Sequence, residues 1–349
     1  MAQHATLQDV ADKAGVHRST VALALRDHPR IPQATRRRIQ AIARKIGYRL
    51  NPLVAALMRA RRTGRPVKHV SLAFVTNYPT RWGWRPENHD RPDFFPGAVQ
   101  RAKDFGYKLE HFWLAEPGMT PSRFCDILSA RAINGLIIGR LPPGQRELQL
   151  DWDRFSAVAL GLTLRSPLLH HVTENHFETA WTAMDQCAER GYQRVGYVYT
   201  DANDSPRVGD RWVSAYLGQQ QKLPPARRIP VCPGMPADAS GFADWFRQHR
   251  PDALLVSHAA PVRKWLDALG HRVPDDVGLI ELEDRPDAGC AGVYYDAEKI
   301  GALGVELLIG MMHRNETGVP TDPHEVLLSG AWREGVTLPH RTGRVDLTA

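Results

Sequence analysis

A chain of 349 residues with 43% apolar content is long enough for two or three domains, each with its own core. It shows neither an apolar run of about eighteen residues nor a charged-then-apolar leader, which argues against a membrane span or export and leads us to expect a cytoplasmic protein. The net charge of +7 is uneven: residues 1–66 carry fourteen Lys or Arg against three Asp (Asp9, Asp12, Asp27), net +11, while the remainder carries 31 against 35, net −4. A basic module on a mildly acidic body is a footprint for nucleic-acid phosphate.

In chain order, Thr6 stands three positions ahead of Asp9 and before Leu7, Val10, Ala11 and Ala14, which predicts an N-cap and a helix over Leu7 to Ala14. Gly15 supplies a tight turn, and Val16, Val21 and Leu25 pack a second helix, starting at Arg18, across the first. Its outer face carries His17, Arg18, Ser19, Ala22 and Arg26, with Arg18 and Ser19 in the first turn. A third helix follows Ile31-Pro32, runs through Ile39, Ile42 and Ile46, and stops at Gly47. This order is a helix-turn-helix, whose second helix enters a DNA major groove, and arginine there suits a bidentate contact with guanine.

Residues 50–66 read as a linker. Asn51 and Pro52 open a short apolar helix, Leu53 to Met58, too short to be stable alone, and four arginines (Arg59, Arg61, Arg62, Arg65) follow with Gly64 and Pro66. The alternative is that residues 53–58 pack on the core. From Val70 onward short apolar runs alternate with helical stretches. Strands are expected at Val70–Val75, Lys108–Trp113, Leu136–Ile138 and Ala157–Leu160, with helices around Pro96–Phe105 and Pro121–Arg131. A second series starts at His171, with strands at Val195–Tyr199, Ala253–Val256 and Gly278–Leu282 and helices starting near Phe177, Arg207, Gly241 and Pro261. Two parallel α/β sheets in tandem predict two lobes with a ligand cleft at the carboxyl ends of their strands.

The run Thr6-Leu7-Gln8-Asp9-Val10-Ala11, Ala14-Gly15-Val16, Ser19-Thr20-Val21, Thr35-Arg36, Ile46-Gly47-Tyr48 and Asn51-Pro52 resembles the DNA-binding headpiece of the lactose-repressor (LacI/GalR) family of bacterial transcription regulators. The likeness runs without a gap over about fifty residues, and it departs from the family's habit at His17, Leu23 and Pro32. It implies DNA contacts by Thr6, Leu7, His17, Arg18, Ser19, Thr20, Ala22, Arg26, Arg30, Thr35, Tyr48, Asn51 and Val54. It also makes Leu57 the hinge-helix residue that wedges into a central minor-groove step.

The likeness continues more thinly through Glu174-Asn175, Arg190 to Val195, Pro251 to Leu255, Val273-Pro274, Gly301 and Trp332 to Gly335, which look like the family's periplasmic-binding-protein-like effector domain. The implied fold is an all-α helix-turn-helix headpiece (1–49), a hinge helix and linker (50–66), and an α/β domain of two doubly wound parallel-sheet lobes (67–349). Lobe one is expected at about 67–165 and 295–322, lobe two at about 166–294 and 323–349. At the ligand-reading positions the chain departs from the family, offering His258 after one strand, Glu283 near the next, and Arg207 or Arg211 on the helix, the spacing leaving that choice open. With Trp82 and Trp84 in the long first loop these would clamp a polyol; the alternatives for each are a salt bridge, a loop cap or a packed aromatic.

The resemblance implies a homodimeric repressor of a palindromic operator, controlled by a small-molecule effector, a sugar or derivative, between its lobes. An activator, a non-specific DNA-binding protein and a sugar receptor are the alternatives. No phosphate loop, dinucleotide fingerprint or nucleophile elbow occurs, and adjacent His170 and His171 on a strand point to opposite faces, so no catalytic residue is expected. Cys125, Cys187, Cys232 and Cys290 are widely spaced without a Cys-x-x-Cys pair, so we expect reduced core thiols and no metal or cofactor.

Overall fold

The computed structural model describes residues 7–25, 30–46, 48, 70–85, 93–202, 204–283 and 289–341. Thr6, Arg26, Asn51, Val54 and Leu57, with the expected hinge segment 50–66, lie outside them.

Among the described residues the headpiece is three helices: α1 (Leu7–Ala14), α2 (Arg18–Ala24) and α3 (Gln33–Lys45). Gly15 turns between the first two at φ +64°, a left-handed conformation that a side chain would strain. Val10, Ala11, Ala14, Val21, Ala24, Ile39 and Ala43 form the core, with Leu7, Val16, Leu25, Ile31, Ile42, Ile46 and Tyr48 packed around it. Small residues at the centre bring the three helices close, and the Gln40 side chain donates to the Ala24 carbonyl at the end of α2 (3.1 Å).

The body holds two sheets. The first contains β1 (Val70–Thr76), β2 (Tyr107–Trp113), β3 (Gly135–Ile138), β4 (Ser156–Leu160), β5 (His170–Glu174) and β10 (Glu325–Leu328), in the order β10-β5-β4-β3-β1-β2, all parallel. Helices α4 (Phe95–Asp104) and α11 (Ala297–Arg314) cover one face, and α5 (Pro121–Ala130) covers the other. The second sheet contains β6 (Val195–Val198), β7 (Ala253–Val256), β8 (Gly278–Glu281), β9 (Ala291–Tyr294) and β11 (Ala331–Arg333), in the order β11-β9-β8-β7-β6, with only β11 antiparallel. Helices α6 (His176–Glu189) and α8 (Arg211–Gln221) pack on one face around Trp212 and Tyr216, while α9 (Ala239–His249) and α10 (Ala259–Ala268) pack on the other around Phe242 and Trp245. A short helix, α7 (Asp204–Val208), precedes α8.

The strand pairing corrects the expected lobe limits. Strand β5 pairs with β4 and strand β10 pairs with β5, so 170–174 and 325–328 belong to lobe one, and the chain crosses after Glu174 and again after Leu328 rather than near 165 and 322. Segment 161–169 carries the chain across to the next parallel strand without an intervening helix. The sequence reading also assigned no elements to β9, α11, β10 and β11.

Helices α4 and α11 touch backbone to backbone. A Cβ at Gly301 would lie 1.9 Å from the Phe94 carbonyl oxygen, and one at Gly97 would lie 1.9 Å from that of Glu298. Gly301→Ala is therefore expected to destabilise the body by about 3 kcal/mol, the upper end of overpacking costs, because backbone must move to admit the methyl. Gly310→Ala, on the same helix but facing only the far end of the Arg314 side chain, should be neutral or stabilising by up to about 1 kcal/mol. Urea midpoints of the two variants check this, and equal midpoints would disprove the close crossing.

Candidate functional site

The first turn of α2 is open to solvent. His17, Arg18 and Ser19 are exposed, Thr20 and Ala22 half-buried, and Val21 and Ala24 face the core. His17 caps the helix: its Nδ1 accepts from the Ser19 amide (3.3 Å) and lies 2.8 Å from Ser19 Oγ. An Nδ1 that accepts an amide N–H carries no proton, so the ring's Nε2–H is left as a donor on the outer side. Arg30 is also exposed, and Leu7, Thr35 and Tyr48 are half-buried at the edges of the headpiece core.

A cavity of about 590 Å³ opens between the lobes at the carboxyl ends of β1 and β3. Its lobe-one walls include Phe74, Thr76, Tyr78, Trp84, Phe94, Arg140 and Thr163, and lobe two contributes Pro206 and Arg207 from α7. Trp84 rests on Phe74 and Phe95, with ring centroids 5.2 and 5.3 Å apart, and its Nε1 donates to the Arg81 carbonyl (3.1 Å), so it is a fixed wall. Trp82 is 52% exposed, lies tilted against His111 (centroids 5.0 Å apart) and does not line the cavity.

Arg207 reaches the cavity already paired. Its Nη1 and Nη2 donate to Glu283 Oε1 (2.9 Å) and Oε2 (3.4 Å), and its guanidinium also lies over the Trp212 ring at 5.1 Å. The Glu283 side chain is 1% exposed, so the carboxylate stands behind Arg207 and fixes its direction. His258 is a step further back: its Nε2 is 4.0 Å from Glu283 Oε2, and its Nδ1 lies 3.0 Å from Ser257 Oγ. Arg211 does something else. Separated from Arg207 by Gly209 and Asp210, both at positive φ, it starts the next helix and pairs with Glu325 on lobe one's edge strand (2.6 Å). Of the six residues nominated from sequence, Trp84 and Arg207 line the cavity, Glu283 and His258 stand behind Arg207, and Arg211 and Trp82 lie elsewhere. The sequence reading missed Arg140, Tyr78 and Thr163, although Arg140 stands two residues past the end of β3, where the strand-end rule for α/β ligand sites points.

Nearby, at the first crossing between lobes, Glu174 and His176 are fully buried. Glu174 Oε1 accepts from Thr179 Oγ1 (2.5 Å); Oε2 lies 3.4 Å from His176 Nδ1, and neither of these two atoms has a hydrogen-bond partner among the described residues. Burial pushes the Glu174 carboxyl up to about 8, against the opposing pull of Thr179 and Arg207, and burial together with Arg207 and Arg140 holds His176 well below its ordinary range. His170 and His171 do diverge: His170 Nδ1 accepts from the His324 amide (2.8 Å), while His171 pairs with Glu325 (3.1 Å). All four cysteines are buried and free, and among the described residues no group of His, Cys, Asp and Glu is placed to hold a metal ion.

Glu174 holds its proton more tightly folded than unfolded, so the folded state loses stability as pH rises from the ordinary 4.5 towards about 8. His176, depressed by burial, acts oppositely and only below its ordinary 6.5. Between 6.5 and 8, Glu174→Gln is expected to remove a downward slope of melting temperature with pH and to melt above the parent at pH 8; parallel curves would show that Glu174 ionises freely.

Residues 6–51 match the model of the bacterial regulatory proteins of the lacI family, and residues 184–337 match that of the periplasmic binding protein-like domain. The HTH-type transcriptional regulator GntR of Escherichia coli K12 is 25% identical over 336 residues, covering 90% of this chain and 93% of GntR. In fold the chain is similar to the transcriptional regulator CelR in complex with cellobiose (TM-score 0.55, 17% identity, 95% of this chain and 99% of that one). It is likewise similar to the lac repressor dimer bound to operator and the anti-inducer ONPF (TM-score 0.53, 17% identity, 97% and 100%). The relatives are transcription regulators rather than enzymes, and no described helix is long and apolar enough to cross a membrane. With its helix-turn-helix at one end and its two-lobed α/β body, the chain belongs to the LacI family of bacterial transcription regulators.

Proposed function

We propose that the protein is a cytoplasmic, homodimeric repressor that reads a palindromic operator and changes its hold on that operator when a small polyol enters the interlobe cavity. The observation that carries this reading is a cavity walled by both lobes, with a pre-paired arginine on one side and fixed aromatic rings on the other, in a chain that begins with a basic helix-turn-helix. A ligand that touches both lobes has different contacts in open and closed forms, the condition for shifting their populations. The solved relatives give the reading its direction: CelR is described with cellobiose, and the lac repressor as a dimer on its operator.

In this reading residues 1–49 are the DNA-binding headpiece, 50–66 the hinge and linker, and 67–349 the effector and dimerisation domain. Arg18 reads a base edge, and Ser19, Thr20 and Ala22 lie in the groove beside it. His17 offers its outer Nε2–H to a phosphate, and Thr6, Leu7, Arg26, Arg30, Thr35, Tyr48 and Asn51 hold the backbone, while Val54 and Leu57 meet the minor groove. In the cavity Trp84 takes a sugar face and Arg207 its hydroxyls, with Glu283 and His258 orienting Arg207. Coupling of this kind is about 1 to 3 kcal/mol, or roughly 5- to 150-fold in operator affinity.

Selection of bound duplexes from a random pool at near-physiological salt tests the central statement. A two-fold symmetric motif is expected; unenriched sequence with binding that tracks only salt would refute it. On the selected operator, Arg18→Ala should lower discrimination at one base pair by about 1 to 3 kcal/mol, whereas a uniform loss across sequences would make Arg18 a phosphate contact. Leu57→Ala should weaken operator binding while effector affinity holds, and unchanged operator binding would remove the hinge role.

A further inference from the structure

We infer that the effector is an anion, a polyol bearing a carboxylate or phosphate group, and that Arg140 binds the charged group. This rests on the reading that the interlobe cavity holds the effector, and it adds which chemistry the cavity selects.

Four charged side chains line the cavity: Asp93, Arg140, Arg146 and Arg207. Two are already neutralised. Asp93 pairs with Arg85 (2.7 Å), and Arg207 is held on both nitrogens by Glu283. Arg140 has no carboxylate partner among the described residues. It is half-buried, and its guanidinium lies over the Phe94 ring with Cζ 4.2 Å from the centroid. The aromatic face holds the head in place without consuming its N–H donors, leaving the fork available in a partly desolvated wall. Arg146, exposed at the cavity rim, adds a second positive charge. The nearest carboxyl from the hinge does not cancel this excess, because burial keeps Glu174 protonated at neutral pH.

The cavity thus presents two unneutralised cations and no free anion among its described lining residues. A neutral sugar would leave the Arg140 donors to water or to weak hydroxyl contacts, while a carboxylate or phosphate would accept two parallel, charge-assisted hydrogen bonds there. The planes of Trp84 and Tyr78 remain for the uncharged part of the ligand, so one end of the molecule is read by charge and the rest by shape.

The test uses the full chain at fixed ionic strength, with a panel of glucose, galactose, fructose and xylose, their aldonates and uronates, and their phosphate esters. Thermal shift is followed by calorimetry on wild type, Arg140→Gln, Arg140→Lys and Trp84→Ala. The expected result is that one or more anionic members bind and the matched neutral sugars do not. Affinity should fall about 10- to 100-fold in Arg140→Gln and less in Arg140→Lys, which keeps the charge without the fork. Carboxylate and phosphate arms tell the two sources of the charge apart. An anion whose shift survives Arg140→Gln is held by other groups and overturns the inference. So does a panel in which only neutral polyols bind, although loss of that binding in Trp84→Ala would leave the interlobe effector reading standing. A panel with no member sensitive to either Arg140→Gln or Trp84→Ala overturns both.

Discussion

Three short chain crossings lie side by side between the lobes, and they govern what the body can do. The chain passes from Glu174 to His176, from Tyr294 to Ala297, and from Leu328 to Ala331. The first and third are bonded to each other: the Asn175 amide donates to the Leu328 carbonyl (2.9 Å), and Ser329 Oγ donates to Glu178 Oε2 (2.5 Å), which also accepts from Asn175 Nδ2 (2.7 Å). At the second, Tyr295 is buried beneath lobe one's helices. Three tethers fixed at one edge permit rotation of the lobes about that edge and resist sliding or separation, which is the geometry of a hinge. Arg211–Glu325 spans the lobes near this edge, a partly exposed strut whose contribution is modest.

That restriction gives the Arg207–Glu283 pair its importance. A guanidinium buried without a counter-charge is strongly destabilising, and Glu283, just past the end of β8, supplies one from the same lobe. Because both partners belong to lobe two, the pair keeps its geometry whether the hinge is open or closed. Arg207 is presented to the cavity as a rigid, oriented donor, and the ordering cost is met during folding rather than on ligand binding. Lobe one answers with groups that are also held: Trp84 wedged on Phe74 and Phe95, and Arg140 over the Phe94 ring. Two stiff half-sites on a single hinge make closure the variable that a ligand can change.

Much of this was legible in the sequence where local chemistry decides structure. Gly15, the small residues of α1 and α2, and the run of Val21, Ile39 and Ala43 specify the headpiece through spacing alone, and the strands with clean apolar runs fell within a residue or two of their observed limits. What failed was long-range. Nothing local in 161–169 or 319–324 reveals that the strands following them return to the first sheet, because membership is settled by pairing with β4 and β5. Helix α11 is apolar nearly all round because it lies over strands β3, β4 and β5 and against α4 at once, so it lacks the periodic polar face that marks an ordinary surface helix. The ambiguity between Arg207 and Arg211 had the same root: four residues apart, they would share a face of one helix, but two positive-φ residues break the chain between them and send each to a different partner. Arg140 carries no local signal beyond a charge shortly after a strand, and its place against Phe94 is set by long-range packing.

The hinge also constrains how the cavity can reach the headpiece. The headpiece joins lobe one at the amino end of β1, and the cavity wall formed by Thr76 and Tyr78 lies at the other end, about 20 Å away along a strand of seven residues. Leu72, Ala73, Phe74 and Val75 between them are buried, and the last three are paired on both sides, with β2 and β3, so the strand cannot slide or bend locally without breaking two ladders. A ligand signal carried along β1 would have to deform the stiffest part of the lobe. Rotation of lobe one as a unit about the three crossings moves the amino end of β1 with no internal strain, and in the proposed dimer that motion changes the separation of the two chains' linkers. The stiffness of the sheet is therefore what converts a small closure at one end into a displacement at the other.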